Sequence, residues 1–230
     1  MNKNFDKYIS KEVNLLSKLP KAKRNIEKRK GEKNLEIIKE SKMFGEKYWD
    51  GPREYGYGGY KYDGRWLPVA KDILEFFRIK DGSKILDIGS GKGFLIHDLL
   101  KNNPTLSVKG LEISEYAISN SIADTDKVTI QGDAKKKLPF KDNYFDLVLS
   151  INTLHNLKKE ELIKCFKEIN RILKNKENSY IVVDSYLNEE QKEIFESWVL
   201  TAEFYGYPQE WYEVFELGGY MGYYSWTIIN

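Results

Sequence analysis

The stretch from Lys84 to Leu95, KILDIGSGKGFL, constrains the fold of this chain more than any other segment. Its first five residues predict a short buried strand that carries Asp87 near its carboxyl end. Three glycines at alternate positions, from Gly89 to Gly93, then turn the backbone into the apolar start of a helix. Glycine permits tight turns and a close approach of a ligand, because it has no Cβ. Such a loop presents main-chain N–H groups at the carboxyl end of a parallel strand, where α/β folds bind ligands.

The size and composition of the chain predict a cytoplasmic enzyme. Its 230 residues can bury one core and leave room for a lid, and 31% charged against 41% hydrophobic residues is a globular balance. No apolar run is long enough to span a membrane, and the first residues lack the apolar core of a secretory signal. The single cysteine, Cys165, excludes an internal disulfide framework.

The charge of the chain is near neutral overall but unevenly distributed. A net charge of +2 argues against nucleic acid as the main substrate. Residues 18–33, KLPKAKRNIEKRKGEK, hold eight basic residues against two acidic ones. This run could contact phosphates, or it could be a solvated helical face or arm.

The hydrophobic pattern predicts alternating strands and helices after residue 67. The predicted strands cover residues 84–88, 106–113, 128–130, 145–151, 180–183 and 223–229. The predicted helices cover residues 68–77, 94–100, 114–123, 159–173, 189–205 and 209–217. Such alternation indicates an α/β, Rossmann-like, doubly wound and mostly parallel sheet with helices on both faces. Residues 67–230 therefore form the predicted ligand-binding domain.

Residues 1–66 form a predicted N-terminal helical arm followed by a lid loop rich in tyrosine and glycine. The arm holds one or two helices, the last over residues 34–44. Residues 48–66, YWDGPREYGYGGYKYDGRW, fit neither a helical nor a strand period, so they are predicted to form a loop. The alternative is that the aromatic residues pack the arm onto the domain. The lid residues predicted to line a substrate pocket are Tyr55, Tyr57, Tyr60, Tyr62, Arg65 and Trp66, with Arg53 and Arg65 able to clamp a carboxylate or phosphate.

Two acidic residues follow the next predicted strands. Glu112 ends the second strand, where its carboxylate can accept hydrogen bonds from both ribose hydroxyls of a nucleoside. Asp133 follows the third strand in QGDA, where it can accept from an exocyclic adenine amine, with the Ala134 N–H available to a ring nitrogen. The glycines read G-x-G-x-G, whereas a dinucleotide fingerprint requires G-x-G-x-x-G.

The segments ILDIGSGKG, GLEIS, QGDA and LPFKDNYFDLVLSINTLHNL resemble class I S-adenosylmethionine-dependent methyltransferases of the quinone-biosynthesis and small-molecule type, over about residues 70–186. The resemblance implies S-adenosylmethionine as the cofactor, with S-adenosylhomocysteine as the product. It places the glycines along the methionine part, Glu112 at the ribose and Asp133 at the adenine. The full set of expected cofactor-binding residues is Asp87, Gly89, Ser90, Gly91, Gly93, Glu112, Ile113, Asp133, Ala134 and Asn152. One departure is that Asn175–Ser179 replaces the usual Pro-Gly-Gly turn.

Methyl transfer from a sulfonium depends mainly on positioning the acceptor and excluding water, and a base can help by removing a proton. His155, just past the fourth strand, is the candidate base, and a satisfied structural histidine is the alternative. His97, one turn into the first domain helix, is expected to pack or cap. No metal-ligand spacing is present, so no catalytic metal is expected.

The sequence thus predicts methyl transfer to an oxygen or nitrogen of a small polar molecule, with no membrane partner, and with nucleic acid disfavoured as a substrate. Two alternatives stay open. One is an RNA or protein methyltransferase that uses the basic N-terminal arm, and the other is a non-catalytic cofactor-binding scaffold. A homo-oligomer is compatible with the sequence.

Overall fold

The protein is built around one six-stranded sheet, and the computed structural model describes residues 5–20 and 24–230. The strands are β1 Lys84–Ile88, β2 Ser107–Glu112, β3 Thr129–Gln131, β4 Leu147–Ile151, β5 Ser179–Asp184 and β6 Tyr223–Thr227. They lie in the order β3-β2-β1-β4-β5-β6. Every neighbouring pair is parallel, so the mostly parallel Rossmann-like prediction is confirmed, and no antiparallel strand is seen among the described residues.

The order of the strands reverses between β1 and β4, and this decides where a ligand can bind. β1 pairs with β2 on one side and with β4 on the other, so the crossover helices leave towards opposite faces. A crevice opens at the carboxyl ends of strands at such a switch point. β1 and β4 are almost fully buried, which explains why their sequences are apolar rather than alternating.

Helices cover both faces of the sheet. They are α1 Asp6–Ile9, α2 Ile26–Glu32, α3 Leu35–Ser41, α4 Glu46–Trp49, α5 Trp66–Phe76, α6 Phe94–Asn102, α7 Glu115–Ser119, α8 Lys159–Ile172, α9 Glu189–Trp198 and α10 Pro208–Gly218. α8 and α10 pack together on one face, where Phe166 and Trp211 share a core cluster. α5 and α6 pack on the other face through Ile73 and Leu99. No helix in the described ranges is long and apolar enough to cross a membrane.

The N-terminal segment runs along the sheet before it reaches the cavity. The Val13 N–H donates to the Tyr224 carbonyl at 2.8 Å, and the Tyr224 N–H donates to the Lys11 carbonyl at 3.1 Å. This segment therefore contacts the outer edge of β6. α2 then packs on α9, and α4 lies beside α7. The predicted division at residues 66 and 67 stays a prediction.

Several elements end earlier than the sequence predicts, and backbone hydrogen bonds explain why. α7 ends at Ser119, since the Ile122 N–H donates to the Lys92 carbonyl instead of continuing the helix. α9 ends at Trp198 rather than at residue 205, since the N–H groups of Glu203 and Phe204 both donate to the His155 carbonyl. The predicted loop over residues 48–66 overlaps the end of α4. The predicted strand over residues 223–229 is shorter, since β6 ends at Thr227.

Candidate functional site

A cavity of about 310 Å³ lies between the carboxyl ends of the central strands and the N-terminal segment. This volume is within the range of small-molecule sites. The sheet side is lined by Asp87 to Gly91, Leu111 to Ile113, Gly132 to Lys135 and Ile151 to Thr153. The N-terminal side is lined by Lys42, Phe44, Tyr48, Trp49, Tyr57, Tyr60 and Trp66, and the segment after α9 adds Thr201 and Glu203.

Two glycines of the loop after β1 let the backbone pack closely against residues that line this cavity. Gly89 and Gly91 have φ of +78° and +55°, a region that side chains rarely adopt. A Cβ on Gly89 would lie 2.0 Å from Thr153 Oγ1, and one on Gly91 would lie 2.9 Å from the ring of Trp49. Gly93 is different, because it caps α6 and a Cβ there would lie 2.2 Å from Thr125 Oγ1. Gly93 does not line the cavity, so its predicted cofactor contact stays a prediction.

Glu112 presents a fixed carboxylate to the cavity from the end of β2. One of its oxygens accepts from the Gly91 N–H and the other from the Ser114 N–H, both at 2.8 Å. Burial raises its pKa, and these N–H groups act in the opposite direction. A carboxylate offers about four lone-pair positions, so each oxygen can still accept one more hydrogen bond. The side chain is therefore held in one orientation while it keeps acceptor capacity.

We expect Glu112→Ala to weaken binding of S-adenosylhomocysteine by about ten- to a hundredfold, the scale of hydrogen bonds to a charged group. Glu112→Gln should lose less of this affinity, since the amide keeps one acceptor oxygen. Isothermal titration of both variants measures the effect. Glu115→Ala, in the first turn of α7, is the control and should bind like the parent. Equal affinities for all four proteins would contradict a role of Glu112 in the site.

Asp87 lies beside Glu112 at the end of β1 and is 3% exposed. Burial, with the charge of Glu112 second, raises the pKa of Asp87 to about 7. A proton is therefore bound more tightly in the folded chain than in the unfolded chain. The folded state loses stability as the pH rises from about 4 through 7, because ionising the Asp87 carboxyl costs more free energy in the folded chain than in the unfolded chain.

Asp87→Asn should remove this dependence. We expect the variant to gain about 1–3 kcal/mol in free energy of unfolding over the parent between pH 5 and pH 8. Urea titrations at the two pH values measure the gain, with the exposed Asp126→Asn as a control. A difference between parent and Asp87→Asn that does not change with pH would show that Asp87 is ionised over this whole range.

The predicted adenine side is formed after β3. Asp133 and Ala134 line the cavity, and the Asp133 carboxylate accepts from the Lys135 N–H at 3.0 Å. Ser90 and Ile113 also line it. Asn152 lies across the cavity after β4, with φ of +53°, and its side-chain oxygen accepts from Thr227 Oγ1 at 2.6 Å. The sheet therefore gathers all the expected cofactor-binding residues except Gly93 around one cavity.

A lid formed by residues 42–66 closes the cavity from above. Trp49 covers Gly91, stacks on Tyr57 with ring centroids 5.3 Å apart, and donates from Nε1 to Ser114 Oγ at 3.0 Å. Tyr60 stacks on Phe94 at 4.7 Å. Sequence reasoning did not single out Trp49, although its place in the same aromatic stretch was a usable signal.

An ion pair ties the lid to the glycine loop. Lys92, which is almost fully buried, lies 2.5 Å from the carboxylate of Asp50. Asp50 also accepts from the hydroxyl of Tyr116 at 2.9 Å. These contacts, with the ring stacking, hold the lid against α6 and α7.

The predicted lid residues divide into two groups. Tyr57, Tyr60 and Trp66 line the cavity, and their contact with a substrate stays a prediction. Tyr55, Tyr62 and Arg65 do not line it. The Tyr62 hydroxyl donates to Asp98 at 2.5 Å and its ring meets His97, and the Arg65 guanidinium pairs with Asp63 at 2.5 Å. Roles of these three residues at a substrate stay predictions that the geometry does not favour.

His155 lies behind the wall of the cavity and is buried. Its Nδ1 accepts from the Asp184 N–H at 3.2 Å, and its carbonyl accepts from Glu203 and Phe204. Burial lowers the pKa of the imidazole, so the ring is neutral near neutral pH. The base role stays a prediction, and the contacts give His155 a second role, because they position the segment that carries Glu203 into the cavity.

Within residues 5–20 and 24–230, no group of three or more histidine, cysteine or acidic side chains is arranged to hold a metal ion. Cys165 is a free thiol inside the core, and burial raises its pKa to about 12. Its sulfur is therefore inert rather than reactive.

Comparison with known proteins identifies the central part of the chain. Residues 86–180 match the model of a methyltransferase domain family. This match and the fold support a class I S-adenosylmethionine-dependent methyltransferase domain in this part of the chain. The match covers the glycine loop, Glu112, Asp133 and the strands β2, β3 and β4. The quinone-biosynthesis subtype stays a prediction.

The relatives of this methyltransferase domain differ in the activities that their names state. The chain is 31% identical over 138 residues to cycloartenol-C-24-methyltransferase 1 of Oryza sativa, covering 53% of this chain and 39% of that protein. It is 34% identical over 126 residues to the mitochondrial arginine-hydroxylase NDUFAF5 of Mus musculus, covering 47% and 36%. The chain spans less than half the length of these curated relatives.

A solved structure supports the same fold for the methyltransferase domain. A Haloferax volcanii methyltransferase, solved in complex with the Trm112 methyltransferase activator, has a TM-score of 0.54 and 25% identity, covering 65% of this chain and 66% of that chain.

S-adenosylmethionine is the cofactor of this domain, and the residues present fit it. A Cβ on Gly89 would collide with Thr153 and one on Gly91 would press on Trp49, and both of these residues line the cavity. A buried acceptor, Glu112, stands at the end of β2. An activated methyl group is the chemistry that this cofactor supplies when bound.

Proposed function

We propose that the protein transfers the methyl group of S-adenosylmethionine to an oxygen or nitrogen atom of a small polar molecule. The observation that carries this proposal is the continuous cavity of about 310 Å³, which joins the glycine loop to Glu203 beneath the aromatic lid. A volume of this size suits a small ligand rather than a macromolecule. The polar groups in its wall suit a polar acceptor.

In this proposal the sheet side of the cavity holds the cofactor. The backbone at Gly89 and Gly91 approaches it closely, Glu112 accepts from the ribose hydroxyls and Asp133 accepts from the adenine amine. Each residue belongs to a different strand end, so the sheet fixes their spacing. Binding through rigid elements favours a constant position of the reacting methyl group.

The lid side of the cavity orients the acceptor and excludes water. Tyr48 and Tyr57 contact each other through their hydroxyls, and burial raises the pKa of Tyr57 to about 12. Both hydroxyls therefore stay protonated and act as hydrogen-bond donors or acceptors rather than as bases. Lys42 and Glu203, 2.5 Å apart, bridge the lid to the segment after α9. Closure of this kind keeps water from the methyl group.

The described residues favour the alternative macromolecular substrates less. Lys18 pairs with Asp72 at 2.6 Å, and Arg24 and Arg29 lie against the ring of Trp198. Much of the basic stretch thus contacts this chain itself. Residues 21–23 of that stretch lie outside the described residues.

The first test of the proposal is isothermal titration with S-adenosylmethionine and S-adenosylhomocysteine, with NAD as the control ligand. We expect micromolar binding of the first two and none of NAD. Transfer of labelled methyl groups is then measured with fractionated small molecules, RNA and protein. Label in RNA or protein would overturn the small-molecule proposal, and a folded sample that binds neither cofactor form would overturn the methyltransferase proposal.

His155→Ala should lower turnover by about a hundredfold, the scale of general base catalysis, with little change in affinity for S-adenosylhomocysteine. If His155 is the base, the acidic limb of the kcat profile lies below pH 6.5 and disappears in the variant, because burial lowers the imidazole pKa. A variant that keeps the limb and raises only KM would assign His155 a positioning role. Unchanged turnover would remove the base assignment.

A further inference from the structure

Three arginines surround one tryptophan beside the lid. The guanidinium carbons of Arg29, Arg53 and Arg24 lie 4.7, 5.1 and 5.8 Å from the centre of the Trp198 ring. Two of them precede the lid and the third belongs to it, and Trp198 ends α9. Each distance is within the range of a cation–π contact. The cluster therefore concentrates three positive charges around one aromatic surface, which we call the Trp198 cluster (Arg24, Arg29, Arg53 and Trp198).

The positive charge of this cluster is not balanced by carboxylates at close range. Within the described residues, none of the three arginines has a carboxylate within 4 Å; the nearby Glu32 pairs with Lys28, and Asp184 lies against His155. Glu54 and Asp184 act on the cluster only from farther away. Desolvation by the surrounding protein lowers the pKa of Arg29 and of the more exposed Arg53, and the charge of a neighbouring arginine lowers each pKa further. Such an arrangement gains free energy when an anion binds.

The three arginines differ in how many donors they have left. Arg29 is buried and donates to the carbonyls of Glu54 at 2.6 Å and Arg53 at 2.7 Å, so it fixes the lid backbone. Arg53 donates to the Gly56 carbonyl and is otherwise exposed. Arg24 is half-buried. A guanidinium has five N–H donors, and within residues 5–20 and 24–230 Arg24 and Arg53 leave most of theirs without an acceptor.

The cluster lies beside the lid, next to residues that line the cavity, although none of its four residues lines the cavity itself. Arg53 acts electrostatically on Tyr48 and Tyr57, which both line the cavity. Arg24 acts on Asp184, the last residue of β5, whereas Glu112 and Asp133 follow β2 and β3 on the other side of β1. An acceptor that extends past Tyr48 and Tyr57 would therefore approach the arginines.

We propose that Arg24 and Arg53 bind an anionic group, a carboxylate or a phosphate, of the methyl acceptor. This inference rests on the proposed function and narrows its substrate to an anionic small molecule. Planar guanidinium groups match the paired oxygens of either anion, and Arg29 with Trp198 holds the two arginines in place. The Arg65 guanidinium, paired with Asp63, takes no part.

Inorganic phosphate and acetate are the probes for this site. Each is titrated into the protein saturated with S-adenosylhomocysteine, at constant ionic strength set with chloride. We expect millimolar binding of at least one probe, about tenfold weaker in Arg53→Gln and in Arg24→Gln, as for the loss of one charged hydrogen-bonding group. Arg53→Lys should recover part of the affinity. Lys28→Gln also removes one positive charge, but from α2 and outside the Trp198 cluster, so it should bind the probes like the parent.

The affinity for S-adenosylhomocysteine is measured for every variant. Unchanged cofactor binding together with lost anion binding supports the anion site. Failure of the parent to bind S-adenosylhomocysteine would contradict the proposed function. Normal cofactor binding, with no detectable binding of phosphate or acetate at about 50 mM, would contradict only the anion site. Equal anion binding by the parent, Arg53→Gln and Arg24→Gln would also overturn it. The probe that binds with the higher affinity indicates whether the site prefers a phosphate or a carboxylate.

Discussion

Gly91→Leu should abolish measurable binding of S-adenosylhomocysteine, with a loss of at least about a hundredfold. Two effects combine. The φ of +55° disfavours any side chain with a Cβ, and the leucine would enter the space that Trp49 covers, where even a Cβ lies 2.9 Å from the indole ring. Isothermal titration measures the affinity, and circular dichroism checks that the sheet is intact.

Gly31→Leu is the matched control for this variant. Gly31 lies in α2, does not have a positive φ, and a Cβ added there would meet no atom within 4 Å. This variant should bind S-adenosylhomocysteine like the parent. A Gly91→Leu protein with normal affinity would mean that the cofactor does not lie against the loop after β1.

Trp211→Ala should lower the free energy of unfolding by about 3–5 kcal/mol. Trp211 is fully buried in the core between α10 and the sheet, and its ring meets Phe204 and Trp226. Its Nε1 also donates to the Asp184 carbonyl at 3.0 Å. The alanine would leave a cavity in the core. It would also leave the Asp184 carbonyl, at the end of β5, without its donor from Trp211. Urea unfolding followed by circular dichroism measures the loss.

Phe76→Ala is the control for the tryptophan variant. Phe76 is 39% exposed, so its truncation should cost less than about 1 kcal/mol. Trp211→Phe should fall between the two. Equal losses for Trp211→Ala and Phe76→Ala would contradict the central place of Trp211 in the core.

The sheet and the cofactor side of the site could be predicted from the sequence because their signals are local. The glycine loop, Glu112 and Asp133 each follow directly after an apolar strand, and parallel strands bring their carboxyl ends to one edge. Element ends were less predictable. α9 stops at Trp198 because of hydrogen bonds to His155, a residue far away in the sequence.

The lid side of the site could not be predicted in detail, for a physical reason. Its aromatic residues follow no period, so the sequence does not tell which rings face inward. Trp66 lines the cavity, whereas Tyr62 turns to Asp98. The pair between Lys42 and Glu203 joins residues 161 positions apart, and no local pattern indicates such a contact. The Trp198 cluster arises in the same way.

The contact between residues 8–13 and Tyr224 has a consequence for biosynthesis. The hydroxyl of Tyr224 donates to the carbonyl of Tyr8, 216 positions earlier. At ordinary translation rates, about 10–45 s separate the emergence of these two residues from the ribosome. Residues 8–13 therefore lack their partners during this interval. The lid likewise lacks its contacts with Trp198 and Glu203 until those residues have been made. Closure of the site thus comes after residues 198–203 have been made, and a nascent chain that stalls before them would expose the aromatic lid to chaperones.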